Sequence, residues 1–181
     1  MTKPGETLSI IFVICDDDKS FRDRYEKAIH QAMRGQKIPY TTHLYDDGSG
    51  ARKFIRERKS AKGIVLITDG AMPYLTGWIL TSELKQEGLL PAGTVLSTAH
   101  SINVILENAK LFEIQGVVEF LQKNTSVDMA KFLPHIIAKT AAEMGVMYRM
   151  PEAKAAPKSK PERPPAAAKR KRKLRENDRE S

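Results

Sequence analysis

The sequence predicts an α/β fold: a parallel sheet of five strands held between two layers of helices. Three observations carry that expectation. Four short runs of apolar, largely β-branched residues and one more polar, strand-like run, Tyr40–Tyr45, recur within residues 8–145, and each is followed by apolar residues at helical spacing. Strands separated by single helices pair parallel through right-handed crossovers, which places helices on both faces of the sheet. The runs also end in polar or charged residues and turn-forming loops, as where open α/β sheets place their chemistry.

The first run, Leu8–Cys15, reads as a buried central strand and ends in Asp16-Asp17-Asp18. From Ser20 to about Met33, residues Phe21, Tyr25, Ala28, Ile29 and Ala32 keep a helical period, closed by Gly35. Asp18 suits the cap of that helix. Tyr40–Tyr45 is a short, exposed-looking second strand, and Asp46-Asp47-Gly48 is a turn. Ala51, Phe54 and Ile55 mark a second helix ending near Ser60. The third strand, Ile64–Ile67, leads to Asp69 and a loop containing Gly70, Met72-Pro73 and Gly77.

Trp78, Ile79, Leu80 and Leu84 form a third helix, stopped by Gly88 and Pro91. Gly93–Leu96 is the fourth strand and runs into Ser97-Thr98-Ala99-His100. Ile102, Val104, Ile105 and Ala109 make the fourth helix, and Gly116–Leu121 the fifth strand, ending at Lys123. The last helix lies within Ser126–Glu143. Pro134 either kinks it or sits in its first turn, where a missing N–H is harmless.

Composition narrows the field. The single Cys15 forms no internal disulfide and reads as a small buried hydrophobe. No segment resembles a signal peptide or approaches the ~20 apolar residues of a membrane span, so a cytoplasmic setting is expected. The net charge of +8 is unevenly spread. Residues 150–181 hold 11 Lys/Arg against 5 Asp/Glu, so that of the chain's 30 and 22, 19 and 17 remain in residues 1–149. That last segment is Pro/Ala/Lys-rich, with Lys169–Lys173 a continuous basic run and Leu174 its only large aliphatic residue. It reads as a disordered extension rather than a second folded domain or output module. The chain is therefore expected to divide into one folded domain, residues 1–149, and a tail, residues 150–181.

In a parallel sheet the strand ends share one edge, so Asp16, Asp17, Asp69, Thr98 and Lys123 converge. Clustered carboxylates raise one another's pKa unless something positive sits among them. An oxygen-only set of this kind suits Mg²⁺, with Lys123 as a fixed second charge. Asp69 is then placed to act as a nucleophile toward phosphorus, and Thr98 to donate a hydrogen bond to the phosphoryl oxygens. The four histidines show no metal-ligand spacing.

The ordered set Asp16-Asp17, Asp69 with Met72-Pro73 and Gly77, Thr98-Ala99, and Phe120 three before Lys123 resembles the receiver domain of two-component response regulators. The resemblance covers about residues 8–145. It implies a flavodoxin-like fold with strand order 2-1-3-4-5 and phosphorylation of Asp69 by a histidine kinase or phosphotransfer protein. By the same match Asp16, Asp17 and Asp69 hold Mg²⁺ with the Ala71 backbone carbonyl. Thr98 is the switch hydroxyl, Lys123 the phosphoryl-binding lysine and Phe120 the aromatic switch. Ala71 and His100 occupy positions that tune phosphoryl lifetime. The family usually follows its lysine with a cis proline, where this chain has Asn124; Gly70 is an unusually small choice after the acceptor.

The expected function is therefore that of a stand-alone receiver. Its only chemistry would be self-catalysed phosphoryl transfer and dephosphorylation, and its output a contact with a downstream protein. Two alternatives remain open in the sequence. One is a docking module of the same fold that is not phosphorylated. The other is a receiver that gates nucleic-acid or anionic-membrane binding by residues 150–181. A homodimer is also left open.

Overall fold

The computed structural model describes residues 8–60, 62–116, 118–123 and 129–151. Five strands alternate with five helices: β1 (Ile10–Cys15), α1 (Lys19–Met33), β2 (Tyr40–Tyr45), α2 (Gly48–Arg58), β3 (Ile64–Asp69), α3 (Gly77–Gln86), β4 (Gly93–Thr98), α4 (Ile102–Leu111), β5 (Glu119–Gln122) and α5 (Met129–Met144). All four strand pairings are parallel, and the order is 2-1-3-4-5. This is the flavodoxin-like arrangement. The chain reverses direction across the sheet between β1 and β3, the switch point at which such folds place ligands.

Alternation along the strands divides the core. Ile10, Phe12 and Ile14 of β1, with Val65 and Ile67 of β3, pack with Tyr25 and Ile29 of α1 and Leu133, Ile136 and Ile137 of α5. Val13 and Cys15, with Ile64 and Leu66, pack with Ala51 and Ile55 of α2 and Leu80 and Leu84 of α3. Each large side chain buried this way contributes roughly 1.5–3 kcal/mol. β1 and β3 are covered on both faces, which is why their sequences are apolar almost throughout. β2 is an edge strand, and its half-exposed pattern explains its mixed sequence, Tyr-Thr-Thr-His-Leu-Tyr.

Helix starts follow the capping logic. The Asp18 carboxylate accepts from the Ser20 N–H (2.7 Å) at the head of α1, and Asp47 accepts from Ser49 (2.5 Å) and Gly50 (3.2 Å) at the head of α2. Pro134 lies inside α5, so of the two expectations the one with proline within the helix holds. The face carrying Leu133, Ile136, Ile137 and Ala141 is fully packed and keeps the helix together despite the missing donor. Two strand starts need correction. β1 begins at Ile10 rather than at Leu8, which is 38% exposed. β5 was expected from Gly116 but begins at Glu119, because Gly116 has φ +76° and belongs to the preceding turn.

After α5 the chain continues along α1. Val146 and Tyr148 pack against the core, and the Gln36 side-chain amide bonds the Arg149 backbone through both its donor and its acceptor (2.7 and 3.2 Å). The basic tail from residue 152 onward lies outside the described residues, as does the Lys123–Asn124 peptide. Among the described residues no helix is long and apolar enough to cross a membrane.

Candidate functional site

The carboxyl ends of β1, β3, β4 and β5 bring together the side chains that the sequence assigns to one edge. Asp16 follows β1 directly and is fully buried, whereas Asp17 is exposed. The loop is held from both sides. Asp16 Oδ1 accepts from the Asp18 N–H (3.0 Å), and Arg22 Nη1 of α1 donates to the carbonyls of Asp16 (2.5 Å) and Asp17 (3.2 Å).

Asp69 ends β3 and is only 6% exposed. Its Oδ1 accepts from the Ala71 N–H at 3.1 Å, and Gly70 N–H donates to the Ser97 carbonyl at 2.8 Å. Close approach explains Gly77: a Cβ there would lie 2.1 Å from the Asp69 carbonyl oxygen, so only glycine lets α3 start so near the end of β3. Gly70 has a similar reason. A Cβ would stand 2.8 Å from the Trp78 indole nitrogen and 3.2 Å from Thr98 Cβ, so the small residue makes room for a large one. Between these glycines, Leu75 N–H reaches the Pro73 carbonyl (2.7 Å) across Tyr74, which has φ 59° and a side chain 93% exposed.

Lys123 completes the cluster. Its backbone N–H donates to the Thr98 carbonyl (2.8 Å), tying the end of β5 to β4, and its ammonium donates to Asp69 Oδ2 (2.8 Å). The same ammonium lies 2.7 Å from Asp16 Oδ2 as an ion pair, without the alignment of a hydrogen bond. Burial works against the lysine's charge, yet its contacts with Asp16 and Asp69 outweigh this and raise its pKa. For Asp16 the balance runs the other way. Burial pushes its pKa up, Lys123 pulls it down, and the Asp69 charge adds a further push upward.

Ligand oxygens of Asp16, Asp17 and Asp69 lie within 4.8 Å of one another, the one such cluster among the described residues. Three carboxylates face one ammonium, and Asp16 Oδ2 is buried without a hydrogen bond. This oxygen-only, electron-rich set fits a hard divalent cation that keeps part of its water shell, as Mg²⁺ does.

The remaining candidates occupy the same edge. Thr98 is buried, and its hydroxyl accepts from the His100 N–H (3.3 Å); among the described residues it makes no hydrogen bond to Asp69. The neighbouring Ser97 hydroxyl is hydrogen-bonded to the Tyr25 hydroxyl (2.6 Å). Phe120 is half-buried and stacks on Trp78 at 5.9 Å between centroids, with Phe112 on the same indole at 6.2 Å. Cys15 is buried, and burial pushes its thiol far up, which suits the inert reading.

Two residues that touch the site lie outside the set that the sequence singles out: Arg22, which donates to the Asp16 and Asp17 carbonyls, and Phe21, whose ring centroid lies 4.2 Å from Lys123 Nζ. Arg22 and Phe21 register there only as a helix charge and a helix core position. Their positions in the first turns of α1, straight after the acidic loop, are the signal that would have found them.

No family model matches the chain, and no curated protein matches it. Solved structures do. A LuxR-family DNA-binding response regulator from Staphylococcus aureus is 20% identical with a TM-score of 0.55, over 72% of this chain and 98% of that one. The signal receiver domain of an HD domain-containing protein from Pseudomonas fluorescens gives 0.56 at 17% identity, over 81% and 100%. The isolated receiver domain of RcsB from Salmonella enterica serovar Typhimurium, solved with the phosphomimetic BeF₃⁻, gives 0.53 at 20% identity, over 80% and 94%. The fold of this chain is that of a response-regulator receiver domain. It carries the acidic triad and lysine at the carboxyl edge of the sheet, an arrangement suited to a phosphoacceptor.

Proposed function

We propose that this domain accepts a phosphoryl group on Asp69 from a histidine kinase or phosphotransfer protein. The observation that carries this is the Lys123 ammonium set between Asp16 and Asp69, beside three carboxylates whose ligand oxygens lie within 4.8 Å of one another. An Asp69 carboxylate oxygen attacks the phosphorus of a phosphohistidine. The P–N bond breaks, the imidazole leaves and takes a proton, and an acyl phosphate remains. Lys123 pairs with the charge that develops on the phosphoryl oxygens. Asp16, Asp17 and Asp69, with the Ala71 carbonyl, would hold Mg²⁺, which when bound offsets the negative charge of the phosphoryl group. Thr98 and Phe120 then act as the switch pair at the ends of β4 and β5.

The RcsB receiver domain was solved with a phosphomimetic, and the same probe suits this chain. The output we assign is a protein contact through the fourth and fifth strand–helix units. Ile102, Leu106 and Leu111 of α4 are 59%, 51% and 73% exposed, a supply of apolar surface for such a contact. Residues 1–149 constitute the receiver in this reading, and residues 150–181 a basic extension.

Incubation with acetyl phosphate and Mg²⁺ tests the proposal, with wild type, Asp69→Asn and Lys123→Ala side by side. Wild type is expected to form an alkali-labile acyl phosphate, Asp69→Asn none, and Lys123→Ala much less. Wild type that takes up no label, or label that survives Asp69→Asn, removes the assignment. A docking module of the same fold that is not phosphorylated would instead bind its partner equally well with and without Asp69→Asn.

A further inference from the structure

We infer that Phe21 is a positioning residue for the Lys123 ammonium, acting through the face of its ring. The inference deepens the proposed phosphoacceptor site and rests on that reading for its consequence, though not for its geometry. Lys123 Nζ lies 4.2 Å from the centroid of the Phe21 ring, within the range of a cation–π contact. The lysine side chain is only 7% exposed, so the attraction acts with little water to screen it.

The ring is itself well placed. Asp18 caps α1 through Ser20 (2.7 Å), and the Phe21 N–H donates to the Asp18 carbonyl (3.1 Å), which fixes the first turn at the acidic loop. Phe21 packs on Tyr25 at 6.2 Å between centroids, and the Tyr25 hydroxyl is bonded to Ser97. The Arg24 guanidinium is also 5.1 Å from the Phe21 centroid. The ring therefore joins α1 to the end of β5, an edge strand of only four residues that contributes little rigidity of its own.

What the ring adds differs from what the carboxylates add. Asp16 and Asp69 hold the ammonium only while their oxygens are free to do so. A cation at the triad, or a phosphoryl group on Asp69, redirects those oxygens. A neutral ring face does not compete for cation or phosphorus, so its hold on Lys123 persists through loading of the site. Phe21 thus keeps the ammonium at the acceptor in both states.

Two readouts on the full chain test this. One is acetylation of Lys123 by an N-hydroxysuccinimide ester at a single pH without metal, followed by peptide mass spectrometry. The other is affinity for beryllofluoride in excess Mg²⁺. Phe21→Leu retains apolar bulk without a ring face, Phe21→Tyr retains the face, and Phe21→Ala removes both. Leu and Ala are expected to speed acetylation of Lys123 and weaken beryllofluoride binding by about tenfold; Tyr is expected to restore both. If Leu matches wild type in both readouts, Phe21 is packing alone and the inference is overturned. If Ala fails to fold, the Leu–Tyr pair still decides. Wild type that does not bind beryllofluoride would defeat the proposed function, while the acetylation series would still judge the hold of Phe21 on Lys123.

Discussion

Two groups of ion pairs in this molecule share a chemistry and differ in their surroundings. On the flank, Arg52 of α2 meets Glu83 of α3 at 2.6 Å, and Arg56 grips Glu87 in a two-pronged contact, with these side chains 30–43% exposed. At the sheet edge, Lys123 lies 2.7 Å from Asp16 and 2.8 Å from Asp69, and the three side chains are 7%, 0% and 8% exposed. Distances alone would rank the two alike. On the flank every charge has a partner and water nearby, so pairing is nearly neutral in free energy. At the edge the charges have lost their water, and the carboxylates outnumber the ammonium. For Asp16 burial then outweighs the pairing, unless another cation arrives. The flank joins two helices; the edge keeps an imbalance that a ligand can relieve.

The largest effect is expected from breaking the edge group at its centre. Lys123→Ala leaves two buried carboxylates without their cation and should lower stability by about 3 kcal/mol at neutral pH without metal. Urea unfolding measures this. Added Mg²⁺ should recover part of the loss, because a bound ion stabilises the folded state by about 2.7 kcal/mol at a hundredfold excess over Kd. A loss that Mg²⁺ leaves untouched would mean that the triad does not take the ion.

A smaller effect, of opposite sign, is expected from Asp16→Asn. Burial raises the pKa of Asp16 in the folded protein above its ordinary 3.8, so the folded state binds this proton more tightly than the unfolded chain. The resulting stability is fully present below the ordinary carboxylate range and is lost as pH rises through the raised pKa. Glu87 on the flank behaves inversely. Its contact with Arg56 lowers its pKa below the ordinary 4.5, and its contribution is lost as pH falls through the lowered value. Asp16→Asn should therefore be more stable than wild type by about 1 kcal/mol at neutral pH without metal. The advantage should shrink toward acid pH, and the variant should lose its response to Mg²⁺. An advantage independent of pH would show that the buried charge is not what costs stability.

The contrast between edge and flank also marks what the sequence disclosed. Asp16, Asp17, Asp69, Thr98 and Lys123 were legible as a group because each ends, or directly follows, an apolar run, and parallel topology turns strand ends into neighbours. The strand order came from the resemblance, since periodicity does not say which strands pair. Phe21 and Arg22 were not legible as site residues. A helix position shows in sequence which face it lies on, but not which strand end that face meets. Gly70 and Trp78 lie eight residues apart and depend on each other only through the packing of α3 on β4. The late start of β5 escaped because Gly116 and Val118 look strand-like until the backbone angle of the glycine is known.

The smallest effect should come from the flank and sets the scale for the others. A double-mutant cycle on Arg52 and Glu83 is expected to give a coupling of about 0.5 kcal/mol, despite the 2.6 Å contact. Roughly 1 M salt should abolish it, because the screening length then falls to about 3 Å. The same cycle on Asp16 and Lys123 should give a larger coupling that survives salt, since counterions reach buried charges poorly. The two cycles together separate proximity from environment. Equal couplings with equal salt sensitivity would mean that the acidic pocket is as wet as the helix flank. The raised pKa of Asp16 would then lose its cause.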